Sequence, residues 1–123
     1  MTTKIEISVK TTYMADQTLP KQRYVYAYTI TIANQGEESA QLISRHWLIR
    51  DANDNIQEVQ GIGVVGEQPL IVPGDSYTYT SGVVLETETG LMEGSYQMLG
   101  SDSGATFDAD IPVFALVPPH ALH

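Results

Sequence analysis

The 123-residue chain has no cysteine, which excludes disulfide bridges, thiolate metal sites and cysteine nucleophiles. Positive charge is scarce: 6 lysines and arginines stand against 15 acidic residues, a formal charge of -9. That balance argues against neutralising a phosphate backbone, so no nucleic-acid partner is expected. No apolar run approaches the roughly 20 residues that span a bilayer, so the chain alone cannot move metal ions across one. The start, MTTKIEISVK, has no apolar stretch behind a basic one, and a cytoplasmic protein is the default expectation. Helical periodicity is also missing. What remains is a length suited to one domain over residues 1–123, burying roughly two-thirds of its unfolded surface.

Strand signals fill that length. Ile5, Ile7 and Val9 alternate with polar neighbours, and a loop is expected from Thr11 to Lys21. Tyr24 to Ala33 is the strongest strand, with Tyr24, Tyr26, Tyr28, Ile30 and Ile32 on one face. Gln41 to Arg50 is a second, placing Ile43, Trp47 and Ile49 together toward a core and His46 toward solvent. Asp51-Ala-Asn-Asp-Asn55 reads as a hairpin turn and Ile56 to Gln60 as its returning strand. Ser76 to Leu85 forms a strand region interrupted by Gly82, and Glu86 to Gly94 an acidic loop. Ser95 to Leu99 and Ala105 to Asp108 pair across Ser101–Gly104. Ile111 to Val117 closes the series, with Pro112 marking its beginning at a sheet edge. Short strands with regular turns and no helices specify an all-β sandwich or barrel.

Between these strands lies Gly61-Ile-Gly-Val-Val-Gly66, a G-x-G-x-x-G triplet. Opening a helix, such a triplet would hold a pyrophosphate. Here Pro69 and Pro73 forbid a regular helix, and Tyr77 to Thr80 alternates as a strand. The glycines then serve either a bulged, tightly curved backbone or a nest of bare N–H groups for an anion. Glu67 would repel such an anion, and the segment contains no lysine.

Arg23 to Ile32, Leu42 to Trp47, Gly61 to Leu70, Tyr79 to Gly82, Gly94 to Met98, Ile111 to Phe114 and the ending Ala121-Leu-His123 together resemble the ApaG family. The resemblance runs from about Lys4 onward. It implies an immunoglobulin- or fibronectin type III-like sandwich of two antiparallel sheets. It also implies a label linking bacterial members to cobalt and magnesium efflux, an association with a diadenosine tetraphosphate hydrolase, and interaction modules among related eukaryotic domains. A nucleotide or pyrophosphate role attached to the family's glycine triplet would fall here on Gly61, Gly63 and Gly66.

The remaining constellations have structural explanations. Asp51 to Asn55 imitates the start of a calcium loop, but Ile56 and Ile62 occupy the positions of its glycine and bidentate glutamate. His46 has no ligand spacing around it, and His120 and His123 sit at the chain end. Tyr24, Tyr26 and Tyr28 could stack bases, yet alternating tyrosines ordinarily line a half-buried strand. Arg23, Arg45 and Arg50 are the anion-pairing candidates. Glu37-Glu38 and Glu86-x-Glu88 read as solvated loop charges. No G-x-S-x-G or other nucleophile signature appears. The expectation is a non-catalytic soluble interaction module without catalytic residues or cofactor, linked indirectly to cobalt or magnesium efflux through a protein partner. The alternative is dinucleoside polyphosphate binding at Gly61, Gly63, Gly66 and Arg45. An uncovered sheet edge would also allow homodimerisation.

Overall fold

The computed structural model describes residues 4–121. Its strands are β1 (Ile5–Tyr13), β2 (Tyr24–Asn34), β3 (Ala40–Asp51), β4 (Ile56–Ile62), β5 (Leu70–Ile71), β6 (Ser76–Leu85), β7 (Gly90–Gly100) and β8 (Thr106–Leu116). Short 3₁₀ turns at Ala15–Gln17 and Pro119–Ala121 are the only helical elements among the described residues. One sheet has the order β1-β2-β6; the other runs β4-β3-β7-β8, with β5 paired to the start of β3. Every pairing is antiparallel. This is the sandwich that the alternating pattern and the family resemblance imply.

The inward faces meet in one core. β2 contributes Tyr26, Tyr28, Ile30 and Ile32, all buried, because period-2 alternation sends the same face inward along its whole length. Trp47 is 2% exposed, and its ring lies 5.5 Å from Tyr28, 6.0 Å from Phe114 and 6.4 Å from Tyr96. Such edge-to-face pairs add about 0.5–1.5 kcal/mol each beyond the area they bury.

Several boundaries differ from the sequence reading. The register of β3 on β7 shifts between Leu42 and Ser44, so Leu42 is fully buried and Ile43 only half-buried. The bulge thus removes Ile43 from the face shared by Trp47 and Ile49. β1 continues to Tyr13, shortening the expected loop from Thr11. β6 passes through Gly82 without interruption. β7 begins at Gly90 inside the expected acidic loop, and the two short segments around Asp108 and Ile111 are one strand, β8. A second register shift, between Met92 and Gly94, absorbs Pro112 in the middle of that edge strand instead of at its start. There the missing N–H costs no ladder bond.

Across the gap between sheets, β1 lies against β8. The other side stays open. Three strands face a row of four, so the inward side of β4 has no strand above it among the described residues. Gln57 is exposed there and Val59 only half-buried.

Candidate functional site

The glycine segment forms the end of β4 and a tight hairpin beyond it. Val64 N–H donates to Glu67 C=O and Glu67 N–H to Val64 C=O, both at 2.8 Å. The two residues between, Val65 and Gly66, have φ of 43° and 81°, the paired positive angles of a mirror-image two-residue turn. Gly66 adopts such an angle freely. Val65 does so under strain, because its branched side chain crowds the backbone there, and that side chain is 56% exposed at the tip. Gly63 has φ 65°, and a Cβ on it would lie 2.2 Å from Glu67 C=O. Its N–H donates to Ile43 C=O at 2.8 Å, at the bulge of β3.

Gly61 meets a different requirement. It pairs with Arg45 across β3 and β4, and a Cβ there would lie 2.7 Å from the guanidinium carbon. The bare backbone is the slot in which the guanidinium rests. Arg45 Nη1 donates to Gly63 C=O at 2.9 Å and to Ile62 C=O at 3.2 Å. The fold therefore brings Arg45, Gly61 and Gly63 together, with Gly66 farther out at the turn. In this cluster the segment offers carbonyl oxygens to the arginine, while the N–H groups of Gly63, Val64 and Glu67 bond to protein carbonyls.

Arg45 is half-buried on the same strand face as Trp47 and Ile49, and no carboxylate pairs with it among the described residues. The hydroxyls of Tyr79 on β6 and Tyr96 on β7 are hydrogen-bonded to each other inside the core. Burial raises the ionisation of both well above the ordinary tyrosine range, and the Arg45 charge opposes that rise. Beside Arg45, on the outer surface, an open depression of about 510 Å³ is lined by Ser44, His46, Gln60 and Gln97. On the inner side, a cleft of about 320 Å³ runs between β6 and β4 with Trp47 in its wall.

Three polar side chains around the outer depression, those of Ser44, His46 and Gln97, are already paired. His46 Nε2 lies 2.6 Å from Glu58 Oε2, Ser44 Oγ donates to Gln97 Oε1 at 2.8 Å, and Gln97 Nε2 donates to Ser95 Oγ at 3.0 Å. No serine there is poised on a base, and the chemistry available is hydrogen bonding and charge. The alternation that turns His46 to solvent is observed; its partner Glu58 was not apparent, because β3–β4 register must be known to place them together.

Other candidates disperse. Arg23 Nε donates to Gln17 C=O at 3.2 Å, and Arg50 lies 3.5 Å from Asp54, so the three arginines serve separate elements. Tyr26 and Tyr28 are core residues, 1% and 7% exposed, and Tyr26 donates its hydroxyl to Glu88 C=O. They offer no stacking platform. Asp51 Oδ1 accepts the N–H groups of Asn53 and Asn55, closing the expected hairpin turn. His120 Nε2 lies 3.3 Å from Glu88 Oε2; His123 falls outside the described residues. Glu38 corrects the reading of Glu37-Glu38 as solvated charges: it is 4% exposed, and its Oε1 accepts the N–H groups of Asp102 and Ser103 and the Ser103 hydroxyl, each at 3.1 Å. Among the described residues no three His, Asp or Glu side chains are arranged to hold a metal ion, and no helix is long and apolar enough to cross a membrane.

Comparison with known proteins extends this picture. The ApaG domain model matches residues 15–100. The Protein ApaG of Pseudomonas paraeruginosa (strain PA7) is 60% identical over 121 residues, covering 98% of this chain and 95% of that protein. The Protein ApaG of Thiobacillus denitrificans is 58% identical, covering 98% and 94%. A crystallised Bordetella pertussis protein named ApaA shares 44% identity with a TM-score of 0.92, covering 97% of each chain. The C-terminal domain of wzt, at 9% identity and a TM-score of 0.58 over 98% of this chain and 77% of that one, shares the fold alone.

Proposed function

We propose, on the premise that the chain belongs to the ApaG family, that it is a non-catalytic interaction module whose partner is another protein. Any link to cobalt or magnesium efflux then runs through that partner. One observation carries this reading: among the described residues the sandwich is closed by strands on one side and open on the other, where β4 and β6 leave their edges and a cleft lined by both polar and apolar side chains uncovered. Such an opening suits a polypeptide, whose backbone can satisfy strand edges. The already paired side chains around His46 and Ser95 also favour recognition over chemistry. The test is chemical cross-linking of the tagged protein in cells, with cross-linked peptides identified by mass spectrometry. A reproducible partner is expected; turnover of a nucleotide by the pure protein, abolished by one substitution, would overturn the reading.

A second reading, dinucleoside polyphosphate binding, draws on the cluster of Arg45 with Gly61 and Gly63 beside an open polar depression. Calorimetric titration with diadenosine tetraphosphate, with and without magnesium or cobalt, tests it. Saturable heat that disappears in Arg45→Gln supports this reading, and silence removes it.

A further inference from the structure

We propose that the free edge of β6 is the docking site for one extended segment of a partner protein. The segment binds antiparallel, with apolar side chains at alternate positions, a basic residue toward its N-terminal end and an acidic residue toward its C-terminal end. The inference rests on the interaction-module reading and specifies its surface.

β6 is an edge without the usual guards. Natural edge strands carry charge, proline or a bulge that discourages another strand from pairing. β1 carries Glu6 and Lys10, β4 carries Glu58, and β8 carries Asp108, Asp110, Pro112 and a register shift. β6 reads SYTYTSGVVL, with no charged residue and no proline, and its ten pairs with β2 run without a shift. In an edge strand about half of the N–H and C=O groups point away from the sheet. Ser76 N–H is held by the Asp75 carboxylate at 2.9 Å; no other backbone group of β6 bonds outside the β2 ladder among the described residues.

The opposite sheet provides the second half of the site. A strand added beside β6 would lie over β4, completing four strands over four. Its inward side chains would enter the cleft between Val83 of β6 and Val59 of β4, against Trp47 and Ile49. Apolar residues at alternate positions fit that wall, because strand side chains alternate between faces.

Charge sets direction. Arg45 and Ser81 line one end of the opening, and Asp51 and Glu86 line the other. From Ser81 to Glu86 is five strand steps, about 17 Å. A strand added antiparallel to β6, as every pairing in both sheets is, begins at the Glu86 end, where a basic residue is favoured. It then runs toward Arg45, which has no carboxylate partner among the described residues. A second copy of this chain fits less well: its β6 has no charged residue to answer Arg45 or Glu86, and each copy carries a formal charge of -9. The partner segment is therefore foreign.

The test uses the intact protein and the capped peptide Lys-Thr-Val-Thr-Val-Thr-Glu, followed by calorimetry and hydrogen exchange. Saturable binding with exchange protection confined to β6 is expected. Ser81→Glu, which sets a carboxylate beside Arg45 in the place of the peptide's glutamate, and Gln57→Phe, which fills the exposed side of the cleft, should each weaken binding at least tenfold. Exchanging the peptide's lysine and glutamate should weaken it as well. No saturable binding, protection on another strand, or full affinity in Gln57→Phe would overturn the proposal. So would β6 protection that rises with protein concentration in the absence of peptide, which identifies a second copy as occupant. A cellular partner cross-linked equally by wild-type and Gln57→Phe proteins overturns this site while the module reading stands. If no partner is found, peptide binding still measures the edge independently.

Discussion

Gly61, Gly63 and Gly66 satisfy three different demands within six residues. Gly61 gives space to a guanidinium, Gly63 combines a positive φ with a carbonyl too close for any Cβ, and Gly66 needs only its positive φ. Alanine at Gly66 should cost about 1–2 kcal/mol, the usual penalty of left-handed backbone. Alanine at Gly63 should cost more, because Glu67 C=O must also move. Alanine at Gly61 should shift stability least, since the flexible end of Arg45 can swing away. Val65→Gly should stabilise the protein by about 1 kcal/mol through release of a strained angle. Urea unfolding of the four variants checks the order; equal midpoints for Gly63→Ala and Gly66→Ala would contradict it. The sequence showed that some local backbone requirement existed here. It could not show the turn, because valine at the first turn position lacks the tolerance of left-handed backbone that Asn or Asp brings to Asn-Gly and Asp-Gly.

At the level of elements, alternation located the strands and bulges hid their ends. The long face of β2 was legible because ten residues keep strict period 2 without a shift. β3 and β8 each contain an irregularity, so a pattern that slips by one residue looked like a misplaced Ile43 in one and like two separate strands in the other. The loop after β7 shows the same limit. Glu38, in the β2–β3 connection, reaches the turn at Asp102 and Ser103, a contact between residues 64 and 65 positions apart. Hydrogen bonds from the Ser103 backbone, against the desolvation, hold the Glu38 carboxyl below its ordinary range. A carboxyl depressed in the fold stabilises fully above its unfolded value of about 4.3, and that contribution is lost as pH falls through the folded value. Melting temperatures measured from neutral pH downward should fall less steeply in Glu38→Gln than in the wild type. Parallel acid slopes would remove Glu38 from the account.

At the scale of the whole molecule, a core of aliphatic side chains, Trp47 and several buried tyrosines lies between two sheets of unequal width. Its class was legible in the absence of any helical period; the open side was not, since it depends on which strands end each sheet. Burial also makes the interior sensitive to alkali. Tyr26 is pushed up from 10.0 to about 12, mainly by burial, and Tyr79 and Tyr96 rise further. Above about pH 10 the unfolded chain gives up phenolic protons that the fold retains. Stability is therefore complete below that pH and declines as pH rises through the folded values. Phenolate absorbance should show a delayed step that coincides with loss of the β-sheet circular dichroism signal; a smooth titration completed while the protein stays folded would refute this. The bond between Tyr79 and Tyr96 has a further consequence, because β6 and β7 belong to different sheets. Apolar contact is nearly indifferent to one sheet sliding a fraction of a residue over the other, whereas a hydrogen bond has length and direction. The tyrosine pair acts as a dowel through both layers. It fixes the distance from the β6 edge to the wall beneath it, so the freedom that an incoming chain would otherwise have to remove from this opening was already lost when the protein folded.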